Sequence, residues 1–282
     1  MTQPPINPGQ QPPNVPPQPG QVPPAGAPGA YPPPPPPGGY APVPGAPGFS
    51  VGEGFSWAFN KFGKNWAPLV LATLVFGLII GVVNGIFQGI ASALADTSTS
   101  TFSSDDGTVS FGLTTAGFGV GSWLVMILGL IVSLVIGGYV AASYWNGVLK
   151  IADGQQVTFG SFFQPRNVGQ VIIGSVLSGL IISIGMALCV LPGLIAAIFL
   201  YFTTVAIVDH NLSGVDGLKA SFNVVKANFG STLLTWLLAV VIVFVGALLC
   251  GVGLLAAVPI AALFVAFAWR KLTGGYVAPQ TQ

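Results

Sequence analysis

Only 5% of the 282 residues are charged and 52% are hydrophobic, where a soluble domain carries about a quarter charged residues. That composition excludes an ordinary soluble fold and predicts an integral membrane protein. A formal net charge of +1 offers no field for a nucleic-acid partner, and the single His210 with Cys189 and Cys250 can build neither a His/Cys metal site nor a disulfide framework.

Residues 1–49 hold most of the prolines, including the run Pro32–Pro37, and the first charge in the chain is Glu53. Proline removes backbone donors, and too few large apolar residues remain to offset ordering entropy, so the expectation is a disordered, locally polyproline-II tail. It reads as a solvated spacer or as a docking track for a proline-reading protein partner. The segment has no basic region followed by an apolar one, so a cleavable signal peptide is not expected.

Ser50–Trp66 (SVGEGFSWAFNKFGKNW) is matched at a constant offset by Ser213–Phe229 (SGVDGLKASFNVVKANF), which reads as an internal duplication. Each copy opens with a serine three residues before a carboxylate, a capping-box signature for a helix start. Each then places apolar residues at helical spacing: Phe55, Phe59, Phe62 and Trp66 in the first, Leu218, Phe222, Val225 and Phe229 in the second. Lys61, Lys64, Lys219 and Lys226 are expected on the opposite face, reaching lipid headgroups or a partner. A degraded third copy is read at 158–167, where Phe159 and Phe163 keep the spacing and Pro165 interrupts it.

Taking about 20 apolar residues as one bilayer crossing, six are predicted: Leu69–Leu94, Val120–Tyr144, Val171–Val190, Leu194–Val208, Ser231–Cys250 and Leu254–Trp269. They form three hairpins. Between the first two lies a Ser/Thr-rich loop in which Asp106-Gly107 is placed to turn a small hairpin, and Leu191-Pro192-Gly193 and Gly251-Val252-Gly253 are the other two tips. Residues 50–275 are thus read as a membrane domain and 276–282 as a C-terminal tail. With six crossings all 8 basic residues fall on one side and Asp96, Asp105 and Asp106 on the other, which places both termini in the cytoplasm of a cell-membrane protein.

Small residues recur every four positions along Gly77, Gly81, Gly85, Gly89 and Ala93, along Gly129, Ser133, Gly137 and Ala141, and along Ser175, Gly179, Ser183 and Ala187. Such stripes let backbones approach closely, and the expectation is that they pack the bundle against itself, with self-association as the other use. No Asp, Glu, Lys or Arg falls inside a crossing, which disfavours a pump or proton-coupled transporter. Asn84 and Gln88 are the polar candidates for lining a route, and Asp209-His210 lacks a nearby nucleophile.

The interfacial segment Phe49–Trp66, its counterpart Leu218–Phe229 and the closing stretch Gly251–Gly274 (GVGLLAAVPIAALFVAFAWRKLTG), behind a proline-rich tail, resemble the proline- and glycine-rich integral membrane proteins of actinobacteria. More distantly, Ser213–Gly274 is similar to the membrane domain attached to some glycerophosphodiester phosphodiesterases, whose acidic, histidine-rich catalytic domain this chain lacks. The resemblance implies an architecture rather than a reaction. The expected function is accordingly non-enzymatic, needing no cofactor: a membrane organiser acting through its tail and interfacial helices, or alternatively a permease or lipid-handling protein with a route between hairpins.

Overall fold

A computed structural model describes residues 49–103, 110–117, 119–249 and 251–280, with backbone alone for 96–116. Of the two units into which the chain divides, 1–38 and 39–282, only the second contains described residues, so the proline-rich tail lies outside them. The protein is an all-α, multi-pass membrane bundle. Its helices are α1 (Val51–Ala93), α2 (Val120–Ala152), α3 (Val168–Leu188), α4 (Val190–Phe199), α5 (Thr203–His210), α6 (Gly214–Ala227), α7 (Phe229–Leu248) and α8 (Leu254–Leu272). Six spans result, because α4 and α5 act together as one.

Three hairpins are recovered as α1/α2, α3/α4–α5 and α7/α8. The first is extended by a two-stranded antiparallel hairpin, β1 (Asp96–Ser103) on β2 (Ser110–Gly117), with Asp96 opposite Gly117 and Ser103 opposite Ser110. Its turn, including Asp106-Gly107, lies outside the described residues. At the centre stand the second arms of the hairpins, α2, α5 and α8, each touching the other two. The central member is α8: 61% of its apolar stretch is buried, against 17% in α1 and 11% in α2. Trp269, Phe264, Phe267, Phe202, Ile151 and Ile207, all fully buried, gather near one end of the bundle, here termed the charged end.

Where the sequence places a short helix before a crossing, the backbone bends. In α1 the break is Asn65 (φ −126, ψ 23), and the position matched to it, Asn228 (φ −133, ψ 43), separates α6 from α7. Both side-chain amides donate to the carbonyl four residues earlier, Asn65 to Lys61 O at 2.9 Å and Asn228 to Val224 O at 3.3 Å, which holds the last turn shut where the backbone leaves helical angles. Pro68 then falls in the first turn of the new helical segment, where its missing N–H is no loss. The 158–167 segment keeps only one 3₁₀ turn, Phe159–Phe163, with the Thr158 and Ser161 side chains capping each other's backbone.

Two boundaries differ from expectation. The second tip is Cys189 itself, an extended residue between α3 and α4, and Leu191-Pro192-Gly193 belongs to the first turns of α4, where proline is tolerated. Further on, the fourth crossing breaks at Leu200–Phe202. The loose groups are satisfied from outside: the Ser221 hydroxyl of α6, fully buried, accepts from Phe202 N at 3.1 Å and donates to Phe199 O at 2.8 Å.

The glycine stripes are a correction. An added Cβ at Gly77, Gly81, Gly85, Gly89, Gly137 or Gly179 would meet nothing within 4 Å, so these residues do not pack the bundle. Spacing of four fixes a face without saying which face meets a neighbour; α1 turns Leu69, Ala72 and Phe76 inward instead. Gly129 is the exception, lying under Phe87. Close approach occurs elsewhere: at Gly138 under Ile172, at Gly174 under Ile207, and at Gly185, where a Cβ would sit 2.8 Å from the Gly193 Cα.

Candidate functional site at the charged end

Helix α6 has three sides. Gly214, Gly217, Ala220, Ser221, Val224 and Val225 face the bundle. Beside them Phe222 (46% exposed) and Phe229 (44%) project outward, with Phe199 stacked behind both at ring distances of 5.0 and 5.9 Å. The third side is polar: Asp216, Lys219, Asn223 and Lys226 are exposed. The start of α1 is built alike, with Gly54, Trp57, Ala58 and Lys61 inward, Phe55, Phe59 and Trp66 exposed, and Lys64 on the polar side. Glycine is required at the inward positions, since a Cβ at Gly54 would reach 2.9 Å from Phe264 and Phe267, and one at Gly217 would collide with Ile207.

Serine caps both helices. Ser50 Oγ accepts from Glu53 N at 3.4 Å, and Ser213 Oγ accepts from Asp216 N at 3.1 Å. The carboxylates do not complete a reciprocal box. Asp216 accepts the Ser213 hydroxyl at 2.7 Å, which pulls its pKa below the usual carboxylate value, with Lys219 adding a smaller effect. Glu53 instead reaches across to Lys271 of α8 at 3.4 Å.

Lys61 does not face headgroups. It is buried, 5% exposed, at the position that the sequence comparison pairs with the inward Val224. Its ammonium lies 5.9 Å from the Trp57 ring centroid and donates to Pro279 O at 2.7 Å. Residues 276–280 are therefore a strap rather than a free tail. Trp57 Nε1 donates to Ala278 O at 2.7 Å, Ala278 N donates to Ala152 O at 2.8 Å, and Gln280 Nε2 donates to Ser56 Oγ at 3.2 Å. Gly154, at φ +80, leaves room for Ala278, which is buried.

Next to the strap is a polar knot around Asp209 and His210, the pair that the sequence marked only as lacking a nearby nucleophile. Arg270 of α8 donates to Asp209 of α5 at 2.6 Å, meets Asp153 after α2 at 3.1 Å, and donates to Tyr276 O at 3.1 Å. The second Asp209 oxygen accepts from Trp269 Nε1 at 2.9 Å and lies 3.1 Å from His210 Nε2. One arginine thus joins the ends of all three central helices. Burial raises the Asp153 pKa, more than Arg270 lowers it.

Away from this end, Asn84 and Gln88 line a half-open cleft of about 430 Å³ between α1 and α2, with Phe87, Trp123 and Ser133 among its walls. Ser133 donates to Asn84 Oδ1 at 3.3 Å. The sequence named both amides but not their α2 partner. Cys189 is an exposed free thiol at its tip, and Cys250 lies outside the described residues.

Comparison with known proteins adds kinship. The uncharacterized protein Rv2560 of Mycobacterium tuberculosis (strain ATCC 25618 / H37Rv) is 37% identical over 234 residues, 82% of this chain and 70% of the relative. The uncharacterized protein Mb2590 of Mycobacterium bovis (strain ATCC BAA-935 / AF2122/97) matches to the same extent. This chain belongs to their family. A match of 234 residues far exceeds the proline-rich segment, so most of it falls on the membrane bundle. No family model matches the chain. No solved structure matches it either.

Proposed function

We propose that the protein is a non-enzymatic organiser of the cell membrane, with its charged end and both termini in the cytoplasm. The observation that carries this reading is the three-sided form of α6 and of the start of α1. A helix that packs on a bundle by one side, exposes aromatics on the next and lifts lysines on the third is suited to the boundary between acyl chains and anionic headgroups. Lys64, Lys219 and Lys226 are then worth about 1 kcal/mol each near an anionic surface. The proline-rich tail that precedes α1 in the sequence is the arm for a protein partner. The nearest approach to an acid–base pair, Asp209 with His210, is engaged by Arg270 and Trp269, which supports a structural use. The likeness to phosphodiesterase membrane domains enters this proposal as architecture alone.

The test compares two full-length variants by abundance and by native lipid co-purification. Phe222→Asp with Phe229→Asp should accumulate poorly, whereas Lys219→Gln with Lys226→Gln should accumulate normally and lose anionic lipid in a salt-sensitive way. Identical behaviour of the two would remove the reading. A second reading, a lipid-handling protein or permease, is favoured by the cleft that holds Asn84, Gln88 and Ser133. It predicts that Gln88→Leu alters the bound lipid or solute while leaving lysine-dependent lipid retention unchanged.

A further inference from the structure

The strap and the proline-rich segment share a sequence. Gly274-Gly275-Tyr276-Val277-Ala278-Pro279 is nearly repeated at Gly38-Gly39-Tyr40-Ala41-Pro42, with one residue fewer between tyrosine and Ala-Pro. In the strap, the groove reads very little of the side chains. It reads two consecutive carbonyls, those of Ala278 and Pro279, through the Trp57 indole N–H and the Lys61 ammonium, and it accommodates one small side chain, Ala278, beside Gly154. An indole donating to the carbonyl just before a proline, in an aromatic-walled groove, is how extended proline-containing peptides are commonly held. Phe267 backs the Trp57 ring at a centroid distance of 5.4 Å.

We propose that the Ser56–Trp57–Lys61 groove is a site for Ala-Pro peptides, filled here by Ala278-Pro279 and open to exchange with Ala41-Pro42 of the same chain. The sequence asked of an occupant is met by both segments: a small residue followed by a proline. Reach is sufficient. Pro42 lies seven residue steps before Phe49, a reach of up to about 22 Å at 3.1 Å per residue were the segment in polyproline II, while Ser50 to Lys61 spans about 17 Å of helix. The strap and the segment from 39 onward cannot occupy the groove together, so the groove sets whether the start of the proline-rich arm is docked or released. The proposal rests on the groove and not on the organiser reading, since its test involves neither lipid nor partner.

The probe is a fluorescent synthetic peptide of residues 38–48, titrated by anisotropy against the full-length protein in neutral-lipid nanodiscs, with Ala41→Asp in every form of the protein so that its own tethered copy does not compete. Ala278→Asp, which cannot bury its carboxylate beside Gly154, should expel the strap and tighten peptide binding at least tenfold over the chain with its strap intact. Adding Trp57→Phe or Lys61→Met to that variant should return binding to background, and a peptide with Pro42 and Pro47 replaced by Ala should bind at least tenfold more weakly. If Ala278→Asp lowers the thermal midpoint of the bundle, deletion of 276–282 replaces it as the strap-free form. Equal affinity with and without the strap overturns the proposal, as does strap-free binding that is indifferent to Lys61→Met.

Discussion

Replacing Arg270 by Met keeps the apolar stem and removes the charge that joins three helices. Asp209, whose side chain is only 4% exposed, would lose its 2.6 Å bond and stay buried with Trp269 and His210 as partners. Breaking such a pair from one side costs about 3–5 kcal/mol, because the remaining charge is left uncompensated. Asp153 is 37% exposed, so its half of the bridge adds only about 0–1 kcal/mol. The lost bond to Tyr276 O adds about 1 kcal/mol. The expected loss is therefore about 5 kcal/mol, or a fall of roughly 10–20 °C in thermal midpoint at about 2–4 °C per kcal/mol. Removing both charges, as Asp209→Leu with Arg270→Met, should recover much of this, since an apolar pair can replace a buried ion pair at little cost. The assay is thermal or denaturant unfolding in detergent micelles, arranged as a double-mutant cycle. A single-variant loss below about 1 kcal/mol, or additive losses in the double variant, would refute the view that Arg270 compensates a buried charge.

Ser221→Ala should cost about 1–3 kcal/mol, because the break in the fourth crossing would then leave the Phe202 N–H and the Phe199 carbonyl unpaired; unfolding in micelles reads it. Gly85→Leu should be tolerated or slightly stabilising, since its Cβ meets nothing within 4 Å and leucine is about 0.8 kcal/mol better than glycine in a helix. Gly185→Leu should instead abolish accumulation, because the added atoms would enter the Gly193 backbone; comparable abundance of the two leucine variants would contradict the packing described.

Much of the architecture was legible because a bilayer forces backbone groups to pair within each segment, so crossings announce themselves as long apolar runs. No bend was expected at Asn65 or Asn228, although both lie at the ends of the two matched segments. Packing faces were not legible either. The four-residue glycine stripe of α1 records where the helix is smooth, while the contacting face is set by neighbours distant in sequence, such as α2 behind Phe76 and Tyr144. Lys61 was misread for a related reason: its charge suggested the polar side, although its pairing with buried Val224 placed it inward. That signal was present in the aligned copies. The strap was missed because its bonds are made by backbone carbonyls, and the one side chain it buries, Ala278 beside Gly154, carries no charge or periodicity that marks it.

The two ends of the bundle differ in what holds them, and the difference bears on where function resides. Lipid gives helices no hydrophobic reason to associate, so the stable end must be the one with ion pairs, hydrogen bonds and buried aromatics. At the charged end Arg270, Ser221, Trp57 and the strap tie central helices, interfacial helices and loops together. At the other, α1 and α2 run on past the level of their neighbours. From the bend at Asn65 to Ala93 is about 42 Å and α2 is about 50 Å, whereas α7 and α8 are each about 30 Å, the thickness of a hydrocarbon core. Over that extra length Val120, Trp123 and Leu124 are exposed, and inter-helix bonds run from Ser122 to Ala91 O and from Ser133 to Asn84. Local opening should begin there, and hydrogen exchange in α1 beyond Asn84 should outpace exchange in α8 by orders of magnitude. A rigid platform at the charged end with a loosely held hairpin opposite is the arrangement expected of a protein that anchors something at the first end. Uniform protection along α1 and α8 would contradict that division.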